Sequence, residues 1–344
     1  MRADDELLAA LRRLGLLEEG ERPAFAALRG GVSSDIWKVD TRRRTLCVKR
    51  ALFKLKVAAD WQAPVERNAY EAAWMAEAAA VVPDAVPELL GQDAASGVLA
   101  MAYLPPEGFS NWKEMLRRGQ ADPATAAAVG DRLVRIHAAT AHRPEVAARF
   151  PTDSIFYDIR LEPYLVATAG SHPDVADALM RLVDITQASK HCLVHGDVSP
   201  KNILIGDKGP VFLDAECAWY GDPAFDLAFG LNHLLLKGLW VPAAKPAFLA
   251  CFGALQDSYF KGVDWEDRER LEARTAALLP GLMLGRVDGK SPVEYLTEER
   301  DRDRVRAIAT GWLLDPPKRL AAIREGWARK TGDGDMAVMT GETR

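Results

Sequence analysis

The chain has 344 residues, 49% of them hydrophobic, which is enough apolar material for a large core in one large domain or two lobes. The formal net charge of −5 leaves no broad basic surface, so we expect no nucleic-acid partner, although a local cationic pocket is compatible with this charge. Four cysteines are widely separated without CxxC spacing and indicate neither a disulfide framework nor a zinc cluster.

Residues 1–20 place acidic side chains ahead of an amphipathic run of leucines, which is the opposite order to a secretory signal. This segment predicts a surface helix. The most apolar later segment, residues 227–244, is interrupted by Asn232, His233 and Lys237 and falls short of an unbroken membrane span. We therefore expect a soluble, cytoplasmic protein with no membrane partner.

Residues 28–49 predict a strand, a tight loop and two further strand segments. The loop contains Gly31, Ser33 and Ser34, and its free amides and hydroxyls are suited to donate hydrogen bonds to phosphate oxygens. A simple hairpin turn is the commoner meaning of a Gly-Gly pair. The loop by itself leaves both interpretations open.

Lys49 ends the last of these strands, where it is either a surface lysine at a strand edge or a lysine drawn into a cleft. A lysine in a cleft needs an opposite charge to stay oriented and protonated. The helix predicted over residues 65–80 offers Glu66 and Glu71. We expect Glu71 to be the partner, because it lies in the middle of the helix, whereas an acid near the start, such as Glu66, favours the helix dipole.

An apolar strand predicted over residues 98–104 stops at Pro105 and Pro106, which mark a boundary between two lobes. We expect an amino-terminal lobe of residues 1–104 and a mainly helical lobe of residues 105–330, where apolar residues recur at helical spacing. The polar, glycine-containing residues 331–344 predict a disordered tail.

The richest segment begins with His-Gly-Asp, in which the acid is Asp197, and continues through Asn202 to Asp214. Two apolar triplets separated by a turn predict a short hairpin between Asn202 and Asp214. Both side chains then stand at the open end of the hairpin, roughly 5 Å apart if they share a face, and can chelate one hard cation. Asp197, on the loop that enters the hairpin, can accept a hydrogen bond from an acceptor hydroxyl and orient it for in-line attack on a terminal phosphate.

This ordered set, followed by Gly-Asp-Pro and Asp226, resembles the catalytic segment of the aminoglycoside phosphotransferase-like kinases, a small-molecule family with choline and methylthioribose kinase branches. The resemblance implies an α+β, bilobal, protein-kinase-like fold, with a small antiparallel sheet plus a helix in the first lobe and a larger helical second lobe. It implies ATP and Mg²⁺ as cofactors, Asp197 as the catalytic residue, and Asn202 and Asp214 as the metal ligands. Asp226 would brace the catalytic loop.

The resemblance also implies a nucleotide site in the first lobe. Its residues are Gly31, Ser33, Ser34, Lys49, Glu71, Met101 and Tyr103. In the family, the matching lysine contacts the α- and β-phosphates, the glycine- and serine-rich loop covers them, and the strand backbone near Met101 binds adenine. The choice between ATP and GTP stays open.

The leading hypothesis is a phosphotransferase that moves the γ-phosphate of ATP to a hydroxyl of a small polar molecule, of the aminoglycoside, sugar or amino-alcohol class. The alternatives are a catalytically silent nucleotide-binding regulatory protein and a scaffold that binds no nucleotide. Glu216 is a candidate for a second metal or for the acceptor. Residues 285–290 partly resemble methylthioribose kinases, but only one arginine, Arg286, stands where those kinases have two, so Arg286 and Lys290 are acceptor contacts or solvated charges. The sequence does not indicate the oligomeric state.

Overall fold

The computed structural model describes residues 3–28, 34–51 and 66–332. Gly31 and Ser33 of the predicted phosphate loop lie outside the described residues, as do residues 333–344 of the predicted tail. Thr331, the first residue of that tail, is buried and donates its hydroxyl to the carbonyl of Trp327 at 2.6 Å. Thr331 is therefore packed against the preceding helix, unlike a residue of a disordered tail.

The first part of the chain forms a five-stranded antiparallel sheet with the order β1-β2-β3-β5-β4. Its strands are β1 (Ala24–Ala27), β2 (Ser34–Asp40), β3 (Thr45–Ala51), β4 (Leu89–Asp93) and β5 (Val98–Ala102). Strand β3 is central in this order. Because successive side chains alternate between the two faces, Leu46 and Val48 point one way and Cys47 and Lys49 point the other.

Each face of the sheet is covered by one helix. Helix α1 (Ala3–Arg13) packs Leu7 and Leu11 against the face that carries Leu46 and Val48. The leucines of α1 are therefore buried against the sheet, while Glu6, Arg12 and Arg13 on its other face are exposed, as expected of an amphipathic surface helix. Helix α2 (Arg67–Val81) lies on the opposite face, and it is the helix predicted over residues 65–80.

The rest of the chain is mainly helical. Its helices are α3 (Trp112–Arg117), α4 (Pro123–Thr140), α5 (Pro144–Arg149), α6 (Asp153–Phe156), a π-helical segment (Tyr157–Val166), α7 (Ala167–Ser171), α8 (Ala176–Ala188), α9 (Pro223–Trp240), α10 (Lys245–Lys261), α11 (Arg268–Asp288), α12 (Glu299–Leu314) and α13 (Leu320–Lys330). Short strands β6 (Ser110–Asn111), β7 (Cys192–Val194), β8 (Ile203–Gly206), β9 (Gly209–Phe212) and β10 (Trp219–Gly221) interrupt them. This combination of an antiparallel sheet and a larger helical part confirms the predicted fold class.

Helix α9 is the central element of the helical part, and almost every residue in it is buried. Its start follows standard capping chemistry: Asp222 accepts a hydrogen bond from the backbone N–H of Ala224 at 3.0 Å, and Pro223 occupies the first helical position. Its apolar residues are nevertheless interrupted by charged groups. In the described part of the chain no helix combines the length and apolarity needed to cross a bilayer.

The predicted hairpin is present as β8 and β9. The register pairs Ile203 with Phe212, whereas two aligned apolar triplets would pair Ile203 with Leu213. Asn202 therefore lies opposite Leu213, and its backbone carbonyl accepts a hydrogen bond from the Leu213 N–H at 2.8 Å. Asp214 follows one residue later. The open end of the hairpin thus brings Asn202 and Asp214 to the same edge, below the five-stranded sheet.

Candidate active site

A cavity of about 300 Å³ lies between the five-stranded sheet and the β8–β9 hairpin. The predicted site residues that line it are Ser34, Lys49, Glu71, Met101, Tyr103, Asn202 and Asp214. They come from β2, β3, α2, the end of β5 and the hairpin, so the tertiary fold collects side chains from distant parts of the chain in one space. Its volume falls at the lower end of the range of small-molecule sites.

Lys49 is the central charge of the cavity. Its Nζ lies 2.6 Å from Glu71 Oε2 and also forms an ion pair with Asp214. The residue is only 3% exposed, which excludes the surface interpretation. Burial by itself would lower the pKa of Lys49, but the carboxylates of Asp214 and Glu71 outweigh burial and raise this pKa well above its ordinary value. Lys49 is therefore a cation at neutral pH.

Helix α2 presents a polar stripe to the site, with Arg67 and Glu71 one turn apart. Arg67 is fully buried, and its Nε donates to Glu216 Oε2 at 2.9 Å. Glu216, predicted to assist a second metal or the acceptor, is thus held by an arginine of α2. Two ion pairs, Lys49–Asp214 and Arg67–Glu216, connect the sheet layer with the segment after the hairpin.

Asp214 has a left-handed backbone conformation, with a φ of 66°. Aspartate and asparagine adopt this conformation more readily than most residues, although it still costs free energy. Such conformations cluster at functional sites, where the surrounding structure holds them. In this protein the unusual turn occurs at the residue whose carboxylate pairs with Lys49.

Asp197 lies next to the cavity, because its backbone carbonyl accepts a hydrogen bond from the side-chain amide of Asn202 at 3.2 Å. Its carboxylate Oδ2 is 2.9 Å from Arg160 Nη2 and 3.5 Å from Lys201 Nζ. Burial would raise the pKa of Asp197, but Lys201 and Arg160 overcome burial and hold the pKa far below its usual value. The carboxylate is therefore ionised throughout the physiological range.

The loop that carries Asp197 is braced from below by Asp226 of α9. The two carboxylate oxygens of Asp226 accept the backbone N–H groups of His195 at 2.6 Å and Gly196 at 2.8 Å. His137 of α4 adds a contact to the same carboxylate at 3.2 Å. The predicted bracing role of Asp226 is confirmed by this geometry. His137 is a fully buried residue of α4 whose ring packs beside this carboxylate.

His195 is structural. Its Nδ1 accepts the N–H of Asp197 at 3.1 Å, and its Nε2 lies 3.1 Å from the carbonyl of Leu213. Burial lowers the pKa of His195, so the neutral ring is favoured, with its proton on Nε2 to donate to that carbonyl. The ring packs edge-on against Trp74, with centroids 4.7 Å apart. His195 thus ties the catalytic loop to the hairpin.

The close approach of the Cys217 segment explains why residue 196 is a glycine. Its φ is +79°, and a Cβ there would lie 2.5 Å from the carbonyl oxygen of Cys217. Any side chain would force the loop away from the Cys217 segment and displace Asp197.

Arg67, Arg160 and Lys201 were not predicted as site residues. Lys201 follows Asp197 by four positions inside the motif, so a search for charges near the motif would have found it. Arg160 lies between Ile159 and Leu161 on the π-helical segment, and no local signal marks it as the partner of an acid 37 residues later.

The chain is similar to known proteins in both sequence and fold. The family model described as "APH: Phosphotransferase enzyme family" matches residues 24–273. The chain is also similar to methylthioribose kinase 2 of Oryza sativa subsp. japonica, at 23% identity over 220 residues that form 56% of this chain and 51% of that protein. The chain thus spans about half the length of the curated relatives it matches.

Solved structures share the fold. A choline/ethanolamine kinase family protein from Mesorhizobium loti superposes with a TM-score of 0.54 at 17% identity, covering 95% of this chain and 100% of that chain. Amicoumacin kinase in complex with AMP-PNP, Ca²⁺ and Ami superposes with a TM-score of 0.55 at 13% identity, covering 93% and 96% of the two chains.

Proposed function

Because the chain belongs to the phosphotransferase enzyme family, whose model matches residues 24–273, we propose that it transfers the γ-phosphate of ATP to a hydroxyl of a small polar molecule in a reaction that requires Mg²⁺. The observation that carries the proposal is the convergence of Lys49, Glu71, Asn202 and Asp214 on one cavity, with Asp197 beside it. Phosphoryl transfer depends mainly on positioning and charge neutralisation, and these residue types supply both.

In this proposal the cavity takes the nucleotide. The strand end from Met101 to Tyr103 would bind adenine through its backbone, and Lys49 would contact the α- and β-phosphates. Ser34, which lines the cavity, would join Gly31 and Ser33 in covering the phosphates. The AMP-PNP in the amicoumacin kinase complex supports a nucleotide in this family fold. Residues 1–104 would thus act as the nucleotide-clamping lobe and residues 105–330 as the acceptor lobe.

The donor set at the open end of the hairpin fits Mg²⁺. Asn202 and Asp214 offer an amide oxygen and a carboxylate oxygen, which are hard ligands of the kind this ion takes when substrate phosphates complete its coordination. The ion pair between Asp214 and Lys49 shows that this carboxylate already faces a cation in the cavity. When bound, the ion would neutralise charge on the phosphates.

Asp197 has the role of orienting the acceptor. Its ionised carboxylate accepts the hydrogen bond of the acceptor hydroxyl and directs the oxygen toward the γ-phosphorus. The acceptor oxygen forms the new bond to phosphorus, the bond from phosphorus to the β–γ bridging oxygen breaks, and ADP leaves with that electron pair. The hydroxyl proton passes to Asp197. Since Arg160 and Lys201 make this carboxylate a weak base, Asp197 contributes mainly through position, which suits a loose transition state.

The acceptor belongs to the aminoglycoside, sugar or amino-alcohol class in this proposal. A methylthioribose kinase among the relatives supports a sugar, while the choline/ethanolamine kinase family protein among the folds supports an amino alcohol. The competing function is a nucleotide-binding regulatory protein without transfer. The complete set of one catalytic acid, two metal ligands and a paired lysine favours the enzyme.

The test is a phosphorylation assay on a metabolite pool with ATP and Mg²⁺, read by mass detection, beside thermal unfolding with Mg-ADP. We expect Mg-dependent stabilisation and at least one phosphorylated product that disappears with Asp197→Asn. Stabilisation without any product would favour the regulatory protein, and the absence of both would refute the nucleotide site.

A further inference from the structure

Outside the lining of the nucleotide cavity, the structure buries three nitrogen-bearing side chains from α9 and α11. Lys237 of α9 and Arg286 of α11 are the basic side chains, with the neutral ring of His233 of α9 beside them, and we call these three residues the cationic cluster. Lys237, Arg286 and His233 are 1%, 8% and 5% exposed, respectively. Lysine and arginine are rarely buried to this extent unless they are paired.

The cationic cluster is connected to the catalytic acid through one aromatic ring. The guanidinium carbon of Arg160, the arginine that holds Asp197, lies 5.9 Å from the centre of the Tyr164 ring, and that of Arg286 lies 5.4 Å from the same centre. Arg286 Nη1 also donates to the Tyr164 hydroxyl at 3.1 Å. Arg286 therefore belongs to the immediate surroundings of Asp197.

Helix α9 runs from the catalytic loop to the cationic cluster. Gly230 faces this loop, since a Cβ there would lie 3.4 Å from the carbonyl oxygen of Val198. His233 and Lys237 follow at helical spacing on the same face, about 10 Å along the axis from Gly230 to Lys237. His233 and Lys237 therefore lie within about two helical turns of the residue that packs against the loop carrying Asp197.

The cluster presents nitrogen atoms without hydrogen-bond partners. Within the described part of the chain, Lys237 Nζ, Arg286 Nε and His233 Nε2 are buried and have no partner. Lys237 instead lies over two rings, with its Nζ 4.1 Å from the centre of Tyr295 and 4.6 Å from that of Trp240.

In the described part of the chain, neither Lys237 nor Arg286 forms an ion pair with an acid, and the hydrogen bonds of the Arg286 side chain go to neutral groups, the Tyr164 hydroxyl and Ser291. The carboxylate of Glu294, which favours protonation of Lys237, forms an ion pair with Lys113 and is itself 62% exposed. A buried cation without a counter-charge is costly, so its retention points to a ligand that supplies the missing charge.

We propose that the acceptor is a small alcohol that carries a carboxylate or phosphate group, and that this anionic group binds Arg286 and Lys237 while the hydroxyl faces Asp197. This inference rests on the proposed function and narrows its substrate class. Charge-assisted hydrogen bonds from arginine and lysine are the standard means of recognising such groups. The same charges would repel an aminoglycoside or an amino alcohol, because the ammonium group of such an acceptor would enter a region that already has an excess of positive charge.

A direct test compares acceptors that share one carbon skeleton and differ in charge. D-gluconate, D-glucitol and D-glucamine form one series, and glycerol 3-phosphate with glycerol forms a second that separates phosphate from carboxylate. We expect kcat/KM to be about tenfold or more higher for the anionic member of a series than for the neutral member. The variant Lys237→Met should reduce this ratio about tenfold, mainly through KM, while the matched surface variant Lys261→Gln should leave it unchanged.

A second measurement keeps the inference testable if none of these alcohols is phosphorylated. With Mg-ADP saturating the nucleotide cavity and ionic strength held constant, inorganic phosphate should raise the Tm of the wild-type protein and of Lys261→Gln in a saturable manner. It should not do so for Lys237→Met. The Mg-ADP shift itself should persist in Lys237→Met, which also shows that this variant folds.

Two results would overturn the inference. One is a kcat/KM for D-glucamine equal to or above that for D-gluconate, which would leave the phosphotransferase function standing with a cationic acceptor. The other is a phosphate response that is absent, or equal in Lys237→Met and wild type, which would show that the cluster binds no anion. Failure of the proposed function would give a different result: Mg-ADP would not raise the Tm, and no acceptor would be phosphorylated.

Discussion

Lys49 and Asp214 are 165 residues apart in the chain, yet their side chains form an ion pair inside the cavity. Lys49 lies on the central strand of the sheet, and Asp214 lies just after the hairpin of the helical part. This contact joins the proposed phosphate-binding residue to a proposed metal ligand, so it links the two halves of the site.

The variant Lys49→Met should lose activity about 100-fold or more, because a phosphate contact used in the transition state is removed. It should also lose stability, on the order of 3 kcal/mol, since the buried carboxylate of Glu71 is left without its partner. Steady-state kinetics and urea unfolding measure the two effects. The double variant Lys49→Met/Glu71→Gln should recover part of the stability but none of the activity, and a recovery of activity would contradict the role of Lys49.

Asp214→Asn should reduce kcat about 100-fold or more while retaining the fold, because asparagine tolerates the left-handed backbone but lacks the charge for a cation. Asp214→Ala should be equally inactive and also less stable by about 1 kcal/mol, from the backbone conformation. The measurements are turnover and thermal unfolding with and without Mg-ATP. If Asp214→Asn transferred phosphate at the wild-type rate, the metal assignment would be wrong.

Arg160→Gln should change the pH dependence of the reaction. In the wild type the pKa of Asp197 is held far below its usual value, so its carboxylate stays ionised and imposes no acid limb at moderately low pH. Without Arg160 this pKa moves up toward its ordinary value, and kcat/KM should begin to fall as the pH drops below about 5. Arg160→Lys, which keeps the charge, should shift the profile less. Identical profiles for all three proteins would refute the positioning role of Arg160.

Gly196→Ala should be destabilising by about 2–4 kcal/mol, because the new methyl group meets the Cys217 carbonyl and the backbone has a positive φ. Gly15→Ala is the matched control, since Gly15 has a φ of +68° but no atom within 4 Å of an added Cβ. That control isolates the conformational cost, about 1 kcal/mol. Equal free energies of unfolding for the two variants would show that the contact with Cys217 does not constrain the loop.

Lys237→Met should be more stable than the wild type at pH 7, by about 1–4 kcal/mol. Burial, Lys113 and Arg286 lower the pKa of Lys237 to about 7 against the opposing charge of Glu294. Between this value and the ordinary pKa of 10.5, the unfolded chain binds more protons than the folded one, so the free energy of unfolding of the wild type rises with pH. The advantage of the variant should therefore shrink from pH 7 to pH 9 in chemical unfolding. A constant difference would mean that Lys237 is not destabilised by burial of its charge.

Local sequence patterns determined a large part of this molecule. The hairpin and its two flanking polar residues follow from apolar triplets around a turn, and the start of α9 follows from an aspartate and a proline at the capping positions. The assignment of Glu71 rather than Glu66 to Lys49 followed from its place in the helix, and the 2.6 Å contact bears it out. Such features are predictable because each depends on residues close together in the chain.

Only the tertiary structure decided which distant charges meet. Arg160 reaches Asp197 from a π-helical segment, and Arg67 of α2 reaches Glu216 after the hairpin. The interruptions of α9 by His233 and Lys237 read in the sequence simply as obstacles to a membrane span, yet packing against α11 places them beside Arg286. Periodicity reports which face of an element a residue occupies, whereas its partner depends on how whole elements pack, and that information is spread over the entire chain.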